Sequence, residues 1–375
     1  MNDVAQIRTL VRQSQSIAFT AERRDFFRLV RRGALLELIT AGFYRFWLAT
    51  DIRRSLWSGT LVDGHAPEYT GTAKELLIGF LFALAILVPV YLLYFLIGIE
   101  AERAKAFASI PLVLFFYAFA QFAIFRARRY RATRTVWRGA RFWMSGSGWA
   151  YSWRACLWDL VVLLTLGLAL PWRESALERY KMRHLNYGDL PARFEGTGAA
   201  LFKRGWWLWL LSLPIVTLPF TYPAYKAVLW RWWVCGIRFG EVRFESDLRT
   251  GGLMGLYWAV IGWTTLLLIA DVIVIAVVIL VAMFFGGKLG GANAMLLFLR
   301  QHPYLALGAN IANYLALVLC IGVIRRVYLT HGVWERVVTS VSAHDLDLAD
   351  NVKVRGALAS ALGEGFADSL DVAGF

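Results

Sequence analysis

Four runs of sequence, each too long and too free of charge for a core element of a soluble domain, limit what this chain can become. Residues 76–98 and 303–324 carry no charge at all. The run 107–125 is diluted only by Ser109, Tyr117 and Gln121, and 254–285 holds a single charge, Asp271. Each reaches the roughly 20 residues that a helix needs to cross a hydrocarbon core of about 30 Å. The third would be about 48 Å long at about 1.5 Å per residue, so it must tilt, bend or protrude. Trp258 and Trp263 mark where one of its interfaces lies.

Composition agrees with this reading. Of the 375 residues 58% are apolar and 18% charged, against about 45–50% and about 25% in soluble domains. Lys and Arg total 40 against 26 Asp and Glu, a formal +14. Very apolar and strongly basic together describe a membrane protein with basic cytoplasmic loops. Cys156, Cys235 and Cys320 are odd in number and far apart, and the five histidines share no motif. Neither a disulfide framework nor a metal site is expected, and no cofactor. Residues 1–32 carry seven arginines and lack the apolar stretch and small-residue cleavage site of a secretory signal. The N-terminus is therefore expected to stay in the cytoplasm.

Three further apolar stretches are ambiguous. Residues 33–50 contain Glu37 and Arg45, 155–172 contain Asp159, and 205–224 are interrupted by Pro214, Pro219 and Pro223. They read either as full spans or as broken, re-entrant helices held against protein. They belong to a repeat. Thr40-Ala-Gly42-Phe-Tyr44-Arg-Phe-Trp47 aligns with Thr165-Leu-Gly167-Leu-Ala-Leu-Pro171-Trp172 at an offset of 125, which also matches Arg54 to Arg179, Gly71 to Gly196 and Thr72 to Thr197. A weaker third copy starts at Thr217-Leu-Pro219 and runs through Arg231, Gly240 and Phe244-Glu245. The pattern reads as an old duplication.

Charge sets the orientation. If only the four long runs cross, the outward loops are 99–106 and 286–302, and they hold four of the 40 basic residues. Both termini and every long basic loop then face the cytoplasm. Residues 344–375 carry six acidic and two basic residues. Their spaced Leu346, Leu348, Val352, Leu358, Leu362 and Phe366 suit short amphipathic helices, an acidic tail able to dock on basic loops.

The expected fold class is thus all-α, a polytopic transmembrane helical bundle with an internal repeat. Its parts are a basic cytoplasmic segment (1–32), a first repeat with membrane helices (33–125) and an Arg/aromatic-rich cytoplasmic loop (126–154). A second repeat with the weaker third copy (155–252), C-terminal membrane helices (253–326) and a cytoplasmic tail (327–375) complete it.

Three stretches carry a family resemblance. They are the first repeat motif with Tyr69-Thr-Gly71-Thr72, the segment Tyr130-Arg-Ala-Thr-Arg134-Thr135-Val-Trp137-Arg138-Gly139-Ala-Arg141-Phe142, and Gly363-Glu364-Gly365-Phe366-Ala367-Asp368-Ser-Leu-Asp371. From about residue 26 to the C-terminus the chain resembles the YjgN-like family of bacterial inner-membrane proteins of unknown function. It departs at Ala41, where the turn usually has Leu, and in the Arg-Phe before Trp47. The resemblance implies a polytopic inner-membrane protein and brings no catalytic residue, since the family has none assigned.

Among single residues Asp271 stands out. An ionised carboxylate in mid-span costs at least about 2.5–3.5 kcal/mol and by default marks a proton or ion path, unless it sits at an interface or is neutral and hydrogen-bonded. Asn310 and Asn313 share a helical face, and Gln121 lies on another span. They read either as a polar lining or as interhelical packing contacts, with packing favoured. Arg131, Arg134, Arg138 and Arg141, set among Tyr130, Trp137, Phe142 and Trp143, suit anionic lipid headgroups, each contact worth about 1 kcal/mol. Their alternative is charge that only sets topology. Stacking of single-stranded nucleic acid is set aside because the segment directly follows a span. No nucleophile elbow, phosphate loop or paired catalytic carboxylates occur, so an enzyme is disfavoured. The expected role is transport or permeation of a small solute, ion or lipid. The rival is a membrane scaffold or anionic-lipid organiser, with a lipid-modifying enzyme third. Membrane lipids are the expected partners, and a homo-oligomer is left open.

Overall fold

The computed structural model describes residues 14–103, 109–287, 301, 303–350, 352–356, 358 and 368. Its strands overturn the all-α expectation. The chain runs β1 (Ser14–Ser16), β2 (Ala18–Phe19), α1 (Arg23–Ile39), α2 (Arg45–Gly59), β3 (Thr60–Leu61), β4 (Glu68–Tyr69), α3 (Ala73–Arg103) and α4 (Ser109–Thr133). It continues β5 (Thr135–Trp137), β6 (Ala140–Met144), α5 (Gly148–Leu164), α6 (Leu170–Arg183), β7 (Leu185–Tyr187), β8 (Leu190–Phe194), α7 (Gly198–Leu211) and α8 (Leu218–Gly236). It ends β9 (Ile237–Phe239), β10 (Val242–Ser246), α9 (Met254–Gly287), α10 (Pro303–Arg325), a π-helical stretch Arg326–His331, α11 (Gly332–Thr339) and β11 (Val341–His344).

The order is a helical hairpin followed by a β-hairpin, over and over. Strands β4 to β11 lie in sequence order in one antiparallel sheet that ends in β1. Its two edge strands, β1 and β4, are linked along the chain through a separate two-stranded sheet. β1 pairs with β11, and two residues later β2 pairs with β3. The bridge between Val62 and His65 carries β3 on to β4. The N-terminal segment thus joins the first hairpin to the last strand and completes a ring.

Closure fixes where the helices go. In an antiparallel ladder run in sequence order, strand direction alternates, so all tight turns share one rim and all helical connections share the other. The turns Asp63-Gly64 and Arg138-Gly139 both place two consecutive residues at positive φ, the geometry of two-residue hairpins. Opposite them, all the helical hairpins rise from the second rim. The helix-side ends of the strands pack with the helices through Phe125, Met144, Leu185, Phe194, Leu201 and Trp232. The turn-side ends form another cluster of Trp137, Tyr187, Val242 and Ala343, closed by Leu346 and Ala349 of the C-terminal segment.

The three ambiguous apolar stretches resolve into hairpins. Each straddles the bend between two helices, α1/α2, α5/α6 and α7/α8, so none is a single straight helix. The first two bends match atom for atom. Thr40 Oγ1 donates to Leu36 O (2.7 Å) and accepts from Tyr44 N (2.9 Å), and Thr165 Oγ1 donates to Val161 O (2.8 Å) and accepts from Ala169 N (3.1 Å). Ala41-Gly42 and Leu166-Gly167 both turn left-handed, with glycine at φ +89° and +90°, where a side chain is strained. The third bend, with Pro214 and Pro219, lacks that turn and folds α7 back on α8 at 120°.

Another contact recurs more widely. An arginine near the end of the returning helix donates to the carbonyl 17 residues on: Arg54 to Gly71, Arg129 to Gly146, Arg179 to Gly196 and Arg231 to Leu248. In the first three units the next residue caps the following helix. Thr72, Ser147 and Thr197 accept from Glu75 N, Ala150 N and Ala200 N respectively. The expected loop 126–154 is therefore no loop. It is the end of α4, the β5–β6 hairpin and the start of α5.

Four helical segments are long and apolar enough to cross a membrane: Ala73–Ile97, Ile110–Thr133, Met254–Val281 and Pro303–Thr339. They coincide with the four charge-poor runs of the sequence. Most of the loops expected between them, at 104–108 and 288–300, lie outside the described residues.

Candidate functional site

Where α2, α3, α4 and α6 meet the strand ring, three ion-pair networks are buried. The first joins distant parts of the chain. Arg53 on α2 forms a two-pronged pair with Asp368: its Nη2 donates to Oδ1 at 3.1 Å and its Nη1 to Oδ2, while Nη1 also donates to the Tyr69 hydroxyl at 3.1 Å. Arg131 Nε lies 3.5 Å from the same carboxylate. Arg53 and Asp368 are 3% and 5% exposed, so the pairing has to replace water for both. Burial pulls the Arg53 guanidinium down, but Asp368 and Tyr69 facing it outweigh this and hold it above the ordinary arginine range. Burial pushes the Tyr69 hydroxyl up.

The second network anchors α3 to α4. Arg134 donates from Nε and Nη2 to the two oxygens of Glu75, both at 3.0 Å, and the fully buried Tyr130 adds its hydroxyl at 2.7 Å. In the third, Glu178 on α6 meets Arg128 at 2.7 Å and Lys181 at 2.6 Å. Burial alone would raise Glu178. The two cations override it and hold the carboxyl down to about 2. Burial also lowers the Lys181 ammonium, against the pull of Glu178.

The arginines read as headgroup ligands are engaged here within the protein. Arg131 faces Asp368, Arg134 holds Glu75, Arg138 bridges Asp63 and Asp350, and Arg141 donates to Thr133 O. Of the polar residues on the spans, Asn313 Nδ2 reaches Asp271 Oδ2 at 3.5 Å, and Asn310 lies one turn away on the same helix. The pair meets across the α9/α10 hairpin, and no residue in the apolar window of α9 is buried. Gln121 is elsewhere. It is buried on α4 and bonded to Tyr117, whose hydroxyl donates to Asp159 at 2.5 Å, and Asp159 is paired with Arg173.

Arg53, Tyr69, Glu75, Glu178 and Asp368 were not singled out from the sequence. A signal existed for several of them: Tyr69, Tyr130–Arg134 and Asp368 lie in the three stretches that carry the family resemblance, and the fold brings those stretches together. Glu178 had none, because the partners of a lone acid in a basic amphipathic stretch are set by the fold. The chemistry present is that of ion-pair latches. Among the described residues no three His, Cys, Asp or Glu side chains gather to hold a metal. A cavity of about 450 Å³ between Arg129, Thr133, Trp143, Ser145 and Arg355 lies at the ring, away from Asp271.

Comparison with known proteins gives a family model that matches residues 14–221 and again 206–367, described as a bacterial protein of unknown function (DUF898). It is the YjgN-like family that the motifs resemble. No curated protein and no solved structure matches the chain.

Proposed function

From the premise that the chain belongs to this bacterial family, DUF898, we propose that it is a multi-pass inner-membrane scaffold that organises lipid around a cytoplasmic strand ring, without catalysis. One observation carries the reading: the ring is closed, and every helical hairpin leaves it from one rim. The two long hairpins, α3/α4 and α9/α10, cross and return, so the ring and both ends of the described chain stay on one side. The basic residues of the ring region support the cytoplasm as that side. We take the recurring unit as the product of duplication, a reading that the two regions matched by the family model, 14–221 and 206–367, support.

Scaffold is favoured over transport because Asp271 and Asn313 pair with each other across a two-helix hairpin in whose apolar α9 window no residue is buried, whereas a permeation path needs polar groups around an enclosed route. The test is reconstitution in vesicles of phosphatidylglycerol and phosphatidylethanolamine. A scaffold changes acyl-chain order and vesicle shape in proportion to protein density and leaves ion and solute gradients intact. Gradient collapse that disappears in Asp271→Asn would overturn it. Single cysteines at His65 and Asn186, both on the ring, should label only from the cytoplasmic side.

A further inference from the structure

We infer that the three short hairpins α1/α2, α5/α6 and α7/α8 are inserted to about half depth in the ring-side leaflet, with their tips in contact with acyl chains. This rests on the membrane reading above, but its evidence is separate and lies in how each hairpin is graded along its length.

Each tip is apolar and bare. Ile39 is 78% exposed, Leu164 75% and Leu166 83%, and Ile215 and Val216 80% and 84%. Phe43, Leu163 and Leu213 flank them, all more than half exposed. A protein that left three such tips in water would present far more contiguous apolar surface than soluble chains do. Nearer the ring, each hairpin changes to groups that favour the headgroup region. Exposed Arg31 and Arg32 precede the apolar end of α1, Trp153 and Arg154 that of α5, and Lys203, Arg204, Trp206 and Trp207 that of α7. Cations and tryptophans in this order mark the water–lipid boundary.

The distance between the two zones fixes the depth. From Arg32 to the end of α1 is seven residues, from Arg154 to the end of α5 ten, and from Arg204 to the end of α7 seven. At about 1.5 Å per residue these are reaches of about 10–15 Å, half of a hydrocarbon core of about 30 Å. The 34 residues of α9 extend about 50 Å by the same measure. Short and long hairpins therefore leave the same rim for different depths.

The charges on these hairpins are placed as insertion requires. Glu37 is turned on to Arg326 at 3.2 Å, and Asp159 on to Arg173 at 2.5 Å and the Tyr117 hydroxyl at 2.5 Å. Arg45 stacks its guanidinium over Phe46 and Phe80. Between 205 and 225 there is no ionisable side chain except the terminal Tyr222 and Tyr225. The lipid-facing perimeter is left uncharged. Neighbouring long hairpins flank these tips around the ring, so the apolar zone is continuous with that of the four spans. Acyl chains are the occupant that fits, because a protein partner would have to cover three separated tips at one height.

The experiment uses the full chain with Cys156, Cys235 and Cys320 replaced by serine, carrying one nitroxide-labelled cysteine at a time, in vesicles of phosphatidylglycerol and phosphatidylethanolamine. Labels at Ile39, Leu164 and Ile215 should report a depth near the bilayer centre, about 15 Å below the headgroups. They should collide readily with oxygen and little with a water-soluble nickel chelate. Labels at Arg32, Arg154 and Arg204 should report headgroup depth. Chelate access to the tip labels from the ring side would show that the hairpins lie outside the bilayer. Access from the opposite side would show that they span it. Either result overturns the inference while leaving the four-span reading intact. A label at His65 reached from the periplasm would instead overturn the orientation. To separate a perturbation by the label from a wrong depth, Leu35, Leu160 and Leu211 serve as second positions and should follow the same depth order.

Discussion

Replacing Arg53 by methionine should release the C-terminal segment that carries Asp368. The pair is almost dry, with side chains 4% and 2% exposed, and once Arg53 is gone the nearest cation among the described residues is Arg131, its Nε at 3.5 Å. Removing one partner of such a pair strands the other charge and costs about 3–5 kcal/mol. At about 1.4 kcal/mol per tenfold, that is a shift of roughly two to four orders of magnitude in the docking equilibrium of the segment. Hydrogen exchange in reconstituted protein reads it directly, since backbone amides of β11 and of Lys353, whose N–H donates to Asp189 at 3.0 Å, should exchange faster by a comparable factor. Asp368→Leu alone should do the same by stranding Arg53 against Tyr69. The double variant Arg53→Met/Asp368→Leu should recover most of the protection, because it leaves no unpaired charge. Single variants within about threefold of the parent, or a double variant as bad as the sum of the singles, would refute the latch.

Three other outcomes follow from the geometry. Glu178 is held at about 2 in the folded chain, well below its unfolded value. Its contribution is therefore complete above the unfolded carboxylate range and is lost as pH falls toward 2, on the order of 3 kcal/mol by linkage. Glu178→Gln should lower thermal stability at neutral pH and flatten its decline in acid; an unchanged acid profile would exclude this carboxylate. Asp271→Asn removes a charge from mid-span while keeping a partner for Asn313. Melting in nanodiscs should show equal or higher stability, and marked destabilisation would give the carboxylate a structural role. Gly42→Ala meets no atom within 4 Å but must hold φ near +89°. It should cost about 1–2 kcal/mol, and Gly167→Ala at least as much, since its Cβ would also come within 3.3 Å of Trp209 Nε1. A neutral Gly42→Ala would mean the turn relaxes at no cost.

The four long apolar helices were legible in the sequence and the ring was not, for a physical reason. A membrane helix writes its signal over some twenty residues, but β3 and β4 are two residues each and the longest strands five. Strands so short, and rich in arginine and tryptophan, show no period that survives against the helices around them. Their turns were nonetheless visible as Asp63-Gly64 and Arg138-Gly139, the dipeptides that two-residue hairpins prefer or tolerate. The Thr-x-Gly and Gly-Thr matches at offset 125 are the helix bend and the helix cap of one unit. Gly146-Ser147, the same cap between them, went unseen because the unit around it is lengthened by α3 and α4. Ion pairs such as Arg53–Asp368, 315 residues apart, leave no trace in spacing.

Ring closure has a consequence for how the chain is made. β1 emerges from the ribosome early, and its partner β11 lies 325 residues later (341 against 16), roughly 15 s to a minute at about 5–20 residues per second. Throughout that interval the growing sheet has two open edges beside a membrane already receiving α3 and α4. Unpaired edges are templates for wrong pairing. Assembly of this protein is therefore a race in which the first strand must stay unspent until the last arrives. A nascent chain stalled before residue 341 should be the species most prone to aggregate.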